Sequence, residues 1–157
     1  MNLLEQFQKF REKANKHGYF VAKEPIEEMD GSHTYIYELG DWKMHDNFFG
    51  GEPYAGRVVY FYQEKPYWIY VYYGAIDPSV NNVDEVYAFL RKAMQQEKTQ
   101  AVIERGPEQY KDNEWAYTNT SKGNVGQFSG KETISRNGKQ IFYTDYIGGL
   151  VDQRKGF

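Results

Sequence analysis

The chain has 157 residues, the length of one ordinary domain, and a formal charge of −3 from 19 basic and 22 acidic residues. This balance argues against a general affinity for nucleic acid or an anionic membrane, because both require a cationic surface. The sequence contains no cysteine, which excludes disulfides, thiolate nucleophiles and cysteine-ligated zinc. It also lacks a signal-like or membrane-spanning apolar run, so we expect no membrane association and a cytoplasmic location.

The N-terminal segment predicts an amphipathic helix over residues 2–17 that ends before Gly18. Its apolar residues recur at helical spacing: Leu3, Phe7, Phe10 and Ala14. Residues 22–33 are rich in charge and have no periodicity, which is typical of a surface loop.

The apolar pattern changes to period two after residue 33, which predicts β-strands. Four strands are expected over residues 34–39, 42–49, 57–63 and 66–73, and their short connections require antiparallel pairing. Asn82 is the expected cap of a second helix, which fades near Glu97. Three more strands follow over residues 115–121, 127–136 and 140–147, the last two joined by an Asn-Gly hairpin.

The two halves of the sequence resemble each other. A shift of 74 residues aligns residues 54–74 with 128–148 and gives four identities, at Gly56, Lys65, Tyr72 and Gly74. The simplest account is a duplicated unit of one helix and a β-meander, although aromatic hairpins also resemble one another by chance. We therefore predict an α+β fold, mainly one antiparallel sheet from two helix-plus-meander repeats. One domain would span 1–157, with halves near 1–76 and 77–149 and a tail over 150–157.

Several short runs, in order along the chain, resemble a bacterial family of domains of unknown function. The runs are Gly40-Asp41-Trp42, Phe49-Gly50-Gly51, Lys65-Pro66, Tyr73-Gly74, Arg105-Gly106-Pro107-Glu108 and Gly148-Gly149. The resemblance covers about residues 33–149. Members of that family occur alone or C-terminal to a helix-turn-helix DNA-binding domain, whereas a single N-terminal helix cannot form such a pair. The resemblance implies no catalytic residues.

Two acidic residues interrupt otherwise apolar strand faces. Asp46 shares its predicted face with Trp42 and Met44, so it is either a buried acid bonded to backbone or tyrosine groups, or a functional base or anchor. Asp145 shares its predicted face with Ile141, Tyr143 and Ile147 in the same way. If the two carboxyls converge, paired acid–base chemistry becomes available to the protein.

Tyrosine, phenylalanine and tryptophan make up 18% of the chain, which is its unusual compositional feature. Residues 66–73 carry rings on both faces, with Tyr67 and Tyr73 opposite the others, and only one face of a half-solvated sheet forms core. Some rings should therefore line a pocket, a groove or a subunit interface. The candidate ligand-binding residues are Trp42, Asp46, Tyr54, Trp68, Tyr70, Tyr72, Tyr143 and Asp145.

The leading functional hypothesis is a module that binds a small molecule or peptide on aromatic side chains, with an acid that fixes a polar group. The alternatives are a hydrolase or isomerase that uses Asp46 and Asp145, or a protein-interaction module that forms a homodimer. The three histidines lack metal-ligand spacing, so we expect no metal and no cofactor.

Overall fold

The computed structural model describes residues 1–18, 24–98 and 103–154. Residues 22–23 of the predicted loop and 155–157 of the predicted tail lie outside this range. The helices and strands are α1 (Leu3–Gly18), β1 (Ile26–Glu27), β2 (His33–Leu39), β3 (Trp42–Phe49), β4 (Tyr54–Tyr62), β5 (Lys65–Ile76), α2 (Val83–Met94), β6 (Gln109–Asp112), β7 (Trp115–Asn124), β8 (Gln127–Arg136) and β9 (Lys139–Leu150).

Within the described residues, nine strands form one sheet in the order β1-β2-β3-β4-β5-β9-β8-β7-β6. Every neighbouring pair is antiparallel. The prediction of an α+β fold with a mainly antiparallel sheet is therefore confirmed. The strands β1 and β6 were not predicted, because β1 is two residues long and β6 is a short polar segment without apolar alternation.

Helix α1 packs on the first half of the sheet. Its buried residues Phe7, Phe10 and Ala14 fall on one stripe, as the helical spacing predicts. The Phe7 ring lies 5.7 Å from Trp42 and 5.4 Å from Trp68, measured between ring centroids. These rings form one apolar cluster beneath the helix.

Helix α2 packs on the second half of the sheet. The helix begins after Asn82, whose side-chain oxygen accepts a hydrogen bond of 3.4 Å from the backbone N–H of Glu85. Its buried residues pack against β5, β7, β8 and β9, and they are Val86, Phe89, Leu90 and Ala93. Both helices therefore cover the same face of the sheet, which we call the covered face.

The other face of the sheet carries exposed side chains, and we call it the open face. Alternation along β9 buries Thr144 and Tyr146 on the covered face and leaves Asp145 and Ile147 exposed on the open face. Large apolar side chains are exposed there too, including Val71.

The central pair of strands has a register centred on Tyr72 and Tyr146, which are Cα partners. The bulges also recur: the register of β4 and β5 shifts between Tyr60 and Phe61, and that of β8 and β9 between Ile134 and Ser135. Each bulge leaves one residue without a partner in the register, Tyr67 in β5 and Ile141 in β9.

Candidate functional site

A cavity of about 440 Å³ lies on the covered face between α1 and α2. Asn15 of α1 lines it on one side, and Leu90 and Met94 of α2 on the other. The aromatic residues on its wall are Tyr35, Phe48, Tyr54, Tyr70, Tyr72 and Tyr87. Its charged lining residues are Asp46, Arg91, Lys98, Glu104 and Arg105. A ring-lined hollow with a few charged groups is the usual form of a small-molecule site.

Asp46 brings a carboxylate to this cavity from β3. Its side chain is buried, and its Oδ1 accepts a hydrogen bond of 2.9 Å from the Tyr72 hydroxyl. Burial, together with the adjacent carboxylate of Asp46, raises the pKa of Tyr72, so this hydroxyl stays protonated and donates. A carboxylate has about four acceptor sites, and the Tyr72 hydroxyl occupies one of those of Asp46.

Gly56 holds Tyr72 in that position. The two residues are partners across β4 and β5, and a Cβ added at Gly56 would lie 2.6 Å from the Tyr72 hydroxyl oxygen. The missing side chain lets the Tyr72 ring cross β4 and reach Asp46 on β3. Gly74 gives Tyr54 the same room, because a Cβ there would lie 2.6 Å from Cζ of Tyr54.

Arg105 reaches the cavity from the segment between α2 and β6. It is buried, and its backbone φ is +71°, a left-handed value that is uncommon for a residue with a side chain. Its Nε donates to Glu132, and its Nη2 lies 3.4 Å from the Tyr54 hydroxyl. The guanidinium carbon is 5.6 Å from the centre of the Tyr72 ring.

The partner of Arg105 is a carboxylate in the interior of the sheet. Glu132 is fully buried, and the Tyr117 hydroxyl donates to its second oxygen at 2.7 Å. Burial by itself would lower the pKa of Arg105, but the charge of Glu132 and the neighbouring tyrosine hydroxyls together outweigh it and hold that pKa above its ordinary value. The guanidinium is therefore a permanent charge on the cavity wall.

A second ion pair connects the same segment to α1. Arg11 Nη1 lies 3.3 Å from Glu104 Oε2, and both side chains are largely buried. The Arg11 guanidinium carbon also lies 5.5 Å from the Trp68 ring centre. Asn119 holds the segment from below, since its amide nitrogen donates to the backbone oxygens of Glu104 at 2.9 Å and Gly106 at 3.2 Å.

The rim of the cavity is closed by a contact between the loop after β3 and α2. Glu52 accepts a hydrogen bond of 2.6 Å from the backbone N–H of Ile76. Its other carboxylate oxygen accepts from the Tyr87 hydroxyl. One side chain thus joins the loop, the end of β5 and α2.

Four of the eight predicted site residues lie together on the cavity wall: Asp46, Tyr54, Tyr70 and Tyr72. Trp42 and Trp68 lie in the core beneath α1 instead, and the Trp68 indole donates to the backbone oxygen of Val125 at 2.7 Å.

The other two predicted site residues, Tyr143 and Asp145, lie on the open face. Asp145 is exposed and pairs with Lys131 at 3.3 Å, and the Lys131 ammonium lies 4.9 Å from the Tyr143 ring centre. Asp145 also borders a second hollow of about 620 Å³, which has no buried charged side chain on its wall. The acid–base alternative requires Asp46 and Asp145 to lie in one cleft. The structure instead places Asp46 in the first cavity and Asp145 on the open face. The alternative of a protein-interaction or homodimer module stays a prediction.

Asp145 does not interrupt a buried apolar face, and the bulge in β9 is the reason that the sequence suggested one. Strict alternation placed Ile141 on the same face as Asp145, which made that face look apolar. The bulge turns Ile141 into the core and leaves Asp145 on the open face. The bulge in β5 likewise buries Tyr67, which alternation had assigned to the face of Tyr73.

Sequence analysis did not identify Arg105 and Glu132 as site residues. A signal for Glu132 exists, since it shares the predicted face of β8 with Phe128 and Ile134. Arg105 gives no such signal, because it precedes Gly106-Pro107 in a segment without periodicity.

Comparisons with known proteins assign the chain to a family but match it to no individual protein. Among the described residues no helix is long and apolar enough to cross a membrane, and no group of three or more potential metal ligands occurs. No curated protein and no solved structure matches the chain. The model of one family, described as Domain of unknown function (DUF5680), matches residues 46–151, which include β3 from Asp46 onward, both central strands and α2. The chain therefore belongs to this DUF5680 family.

Proposed function

We propose that the protein is a binding module for a small molecule that carries a planar ring and a cationic or hydrogen-bond-donating group. The observation that supports this most directly is a buried carboxylate, Asp46, on the wall of a cavity lined by tyrosine rings. The volume of about 440 Å³ falls within the roughly 300–1,000 Å³ that is typical of small-molecule pockets.

The rings and the acid would divide the recognition between them. Tyr54, Tyr70 and Tyr72 offer faces and edges for stacking and for cation–π attraction, which gains strength when water is excluded. The Asp46 carboxylate would receive an ammonium or N–H group of the ligand, and the Tyr72 hydroxyl holds that carboxylate in place.

The proposal includes an internal duplication in which only one half keeps the ligand site. The counterpart of the Tyr72–Asp46 hydrogen bond is that of Tyr146 to Asn119, at 2.7 Å. Asn119 is fully buried and bonds to the backbone of the 103–106 segment, so its polar group serves the fold. The recurring bulges and the symmetric register of β5 and β9 support this reading. The proposal also includes a bacterial origin and a cytoplasmic location, for which the sequence is the only support.

A thermal-shift screen with aromatic amines, aromatic acids and cationic metabolites tests the proposal. A ligand present at 100 times its Kd adds about 2.7 kcal/mol to the free energy of unfolding and raises the Tm. We expect Asp46→Asn, which keeps the shape of the side chain, to weaken binding of the best amine at least about tenfold, since a charge-assisted hydrogen bond contributes about 1.5–3 kcal/mol.

The matched control is Asp145→Asn, which removes an equivalent charge from the open face and should leave binding unchanged. The proposal fails if no compound in the screen stabilises the protein. It also fails if Asp145→Asn weakens binding as much as Asp46→Asn does, because the ligand would then lie on the open face.

A further inference from the structure

The guanidinium of Arg105 has binding capacity that the fold does not use. Its Nε is committed to Glu132, and its Nη2 makes only a long contact of 3.4 Å with the Tyr54 hydroxyl. Among the described residues, Nη1 has no hydrogen-bond partner, and it is not one of the fully buried atoms that lack one. Arg105 lines the cavity, so this nitrogen is the donor that it can offer to a ligand there.

The backbone of Arg105 also points to a role beyond packing. A φ of +71° is strained for a residue with a side chain and is kept where the surrounding structure enforces it, often at ligand-binding positions. Here the enforcement comes from Asn119, which binds the backbone oxygens on both sides of Arg105. The strain presents the guanidinium to the cavity.

The charged residues around the cavity include two ion pairs. Glu104 is paired with Arg11 and Glu132 with Arg105, so these four charges balance. Arg91 and Lys98 add two further cations on the α2 side. Tyr72 lies next to both Asp46 and Arg105. Its hydroxyl donates to Asp46, and the centre of its ring lies 5.6 Å from the Arg105 guanidinium carbon.

We propose that the ligand of this cavity is an aromatic zwitterion, whose ammonium group binds Asp46 and whose carboxylate binds the Nη1–Nη2 edge of Arg105. The inference rests on the proposed function and names its ligand class. The Nη1–Nη2 edge of an arginine fits a carboxylate, and Arg91 and Lys98 add positive charge to the wall of the same cavity. The tyrosine rings take the aromatic group beside these two anchors.

Matched probes test this with the unmodified protein by isothermal titration calorimetry. One set is L-tryptophan, tryptamine and indole-3-propionate, and the other is L-phenylalanine, phenethylamine and 3-phenylpropionate. In at least one set we expect the amino acid to bind at least about tenfold tighter than either analogue, because each analogue leaves one charged anchor without its partner.

The outcomes separate the two proposals. If an amine binds as tightly as its amino acid, the carboxylate subsite is wrong while the binding function survives. If neither amino acid binds but other screened compounds do, the proposal of an aromatic zwitterion as the ligand is wrong while the binding function survives. If nothing in the screen or in these sets binds, both proposals fail.

A pair of variants checks the Arg105 anchor. Arg105→Gln alone would leave Glu132 as an unpaired buried charge, so the test uses the double variant R105Q/E132Q, which neutralises both. We expect it to lose the preference for amino acid over amine and to keep the affinity for the amine. Lys131→Gln on the open face is the control and should change neither. An R105Q/E132Q protein that retains the preference overturns the assignment, and if it does not fold, the probe comparison decides.

Discussion

Each half of the sheet contains a tyrosine that crosses a glycine to reach a polar group on the next strand. Tyr72 crosses Gly56 and donates to Asp46, and Tyr146 pairs with Gly130 across β8 and β9 and donates to Asn119. The glycine therefore does more than relieve crowding. Its missing side chain decides which polar group receives the tyrosine hydroxyl.

Gly130→Ala tests how strongly this arrangement is constrained. A Cβ at Gly130 would lie 2.1 Å from Cζ of Tyr146, a ring that is buried and hydrogen-bonded to Asn119. Because neither ring nor backbone can move freely, we expect a loss of about 1–3 kcal/mol in the free energy of unfolding, measured by urea denaturation.

The matched control is Gly51→Ala in the loop after β3. A Cβ at Gly51 meets nothing within 4 Å and its φ is not positive, so the stability should change little or increase slightly. Equal destabilisation by the two substitutions would contradict the account, since only Gly130 faces a ring.

At the scale of residues, a site residue can be predicted from the sequence when its role follows from the pattern of one strand. A residue whose role depends on contact with a distant segment cannot be predicted in this way. Asp46 could be identified because alternation with Trp42 and Met44 is a local pattern. The bond between Arg105 and Glu132 joins a connecting segment to a strand 27 residues away, and no local pattern encodes that contact. The positive φ of Arg105 is likewise enforced by tertiary contacts.

At the scale of elements, the bulges decide which side chains reach the core. Helices and strand pairs follow from periodicity and short connections, and these predictions were largely right. A bulge inserts one residue and reverses the faces on one side of it, and no signal in the aromatic runs indicates where that happens. The apolar character of Tyr67 and Ile141 is satisfied only because the bulges bury them.

The contact of Glu52 with β5 and α2 predicts how the cavity rim is held. Glu52→Ala removes the acceptor for the Ile76 amide and for the Tyr87 hydroxyl. A hydrogen bond to a carboxylate contributes about 1.5–3 kcal/mol, so we expect hydrogen exchange at the Ile76 amide to rise at least about tenfold. Exchange resolved at single amides by NMR measures this.

Glu52→Gln provides the comparison, because its amide oxygen still accepts from the Ile76 N–H. Its effect on that amide should be clearly smaller than that of Glu52→Ala. Unchanged exchange at Ile76 in both variants would show that β5 is held there by other contacts.

At the scale of the whole molecule, the sheet is continuous across its middle. β5 and β9 are in register from Trp68 with Leu150 to Ile76 with Phe142. The pattern of short connections predicted two meanders, but it could not predict which strands join them, because that pairing spans residues far apart in sequence. The centre of the sheet is therefore the feature that only the structure supplies.

This continuity predicts that the two halves unfold as one unit. Trp42 and Trp68 report on the core beneath α1, and Trp115 packs on Phe89 of α2 at 5.2 Å. In a Trp115→Phe background, tryptophan fluorescence therefore follows the core beneath α1, while far-UV circular dichroism follows the whole chain. Adding Ile134→Ala, which removes a fully buried side chain from the core beneath α2, should lower the urea midpoint equally by both signals, because the shared strands couple the halves. A fluorescence midpoint that stays in place while the dichroism midpoint falls would show instead that the half beneath α1 is stable without its neighbour.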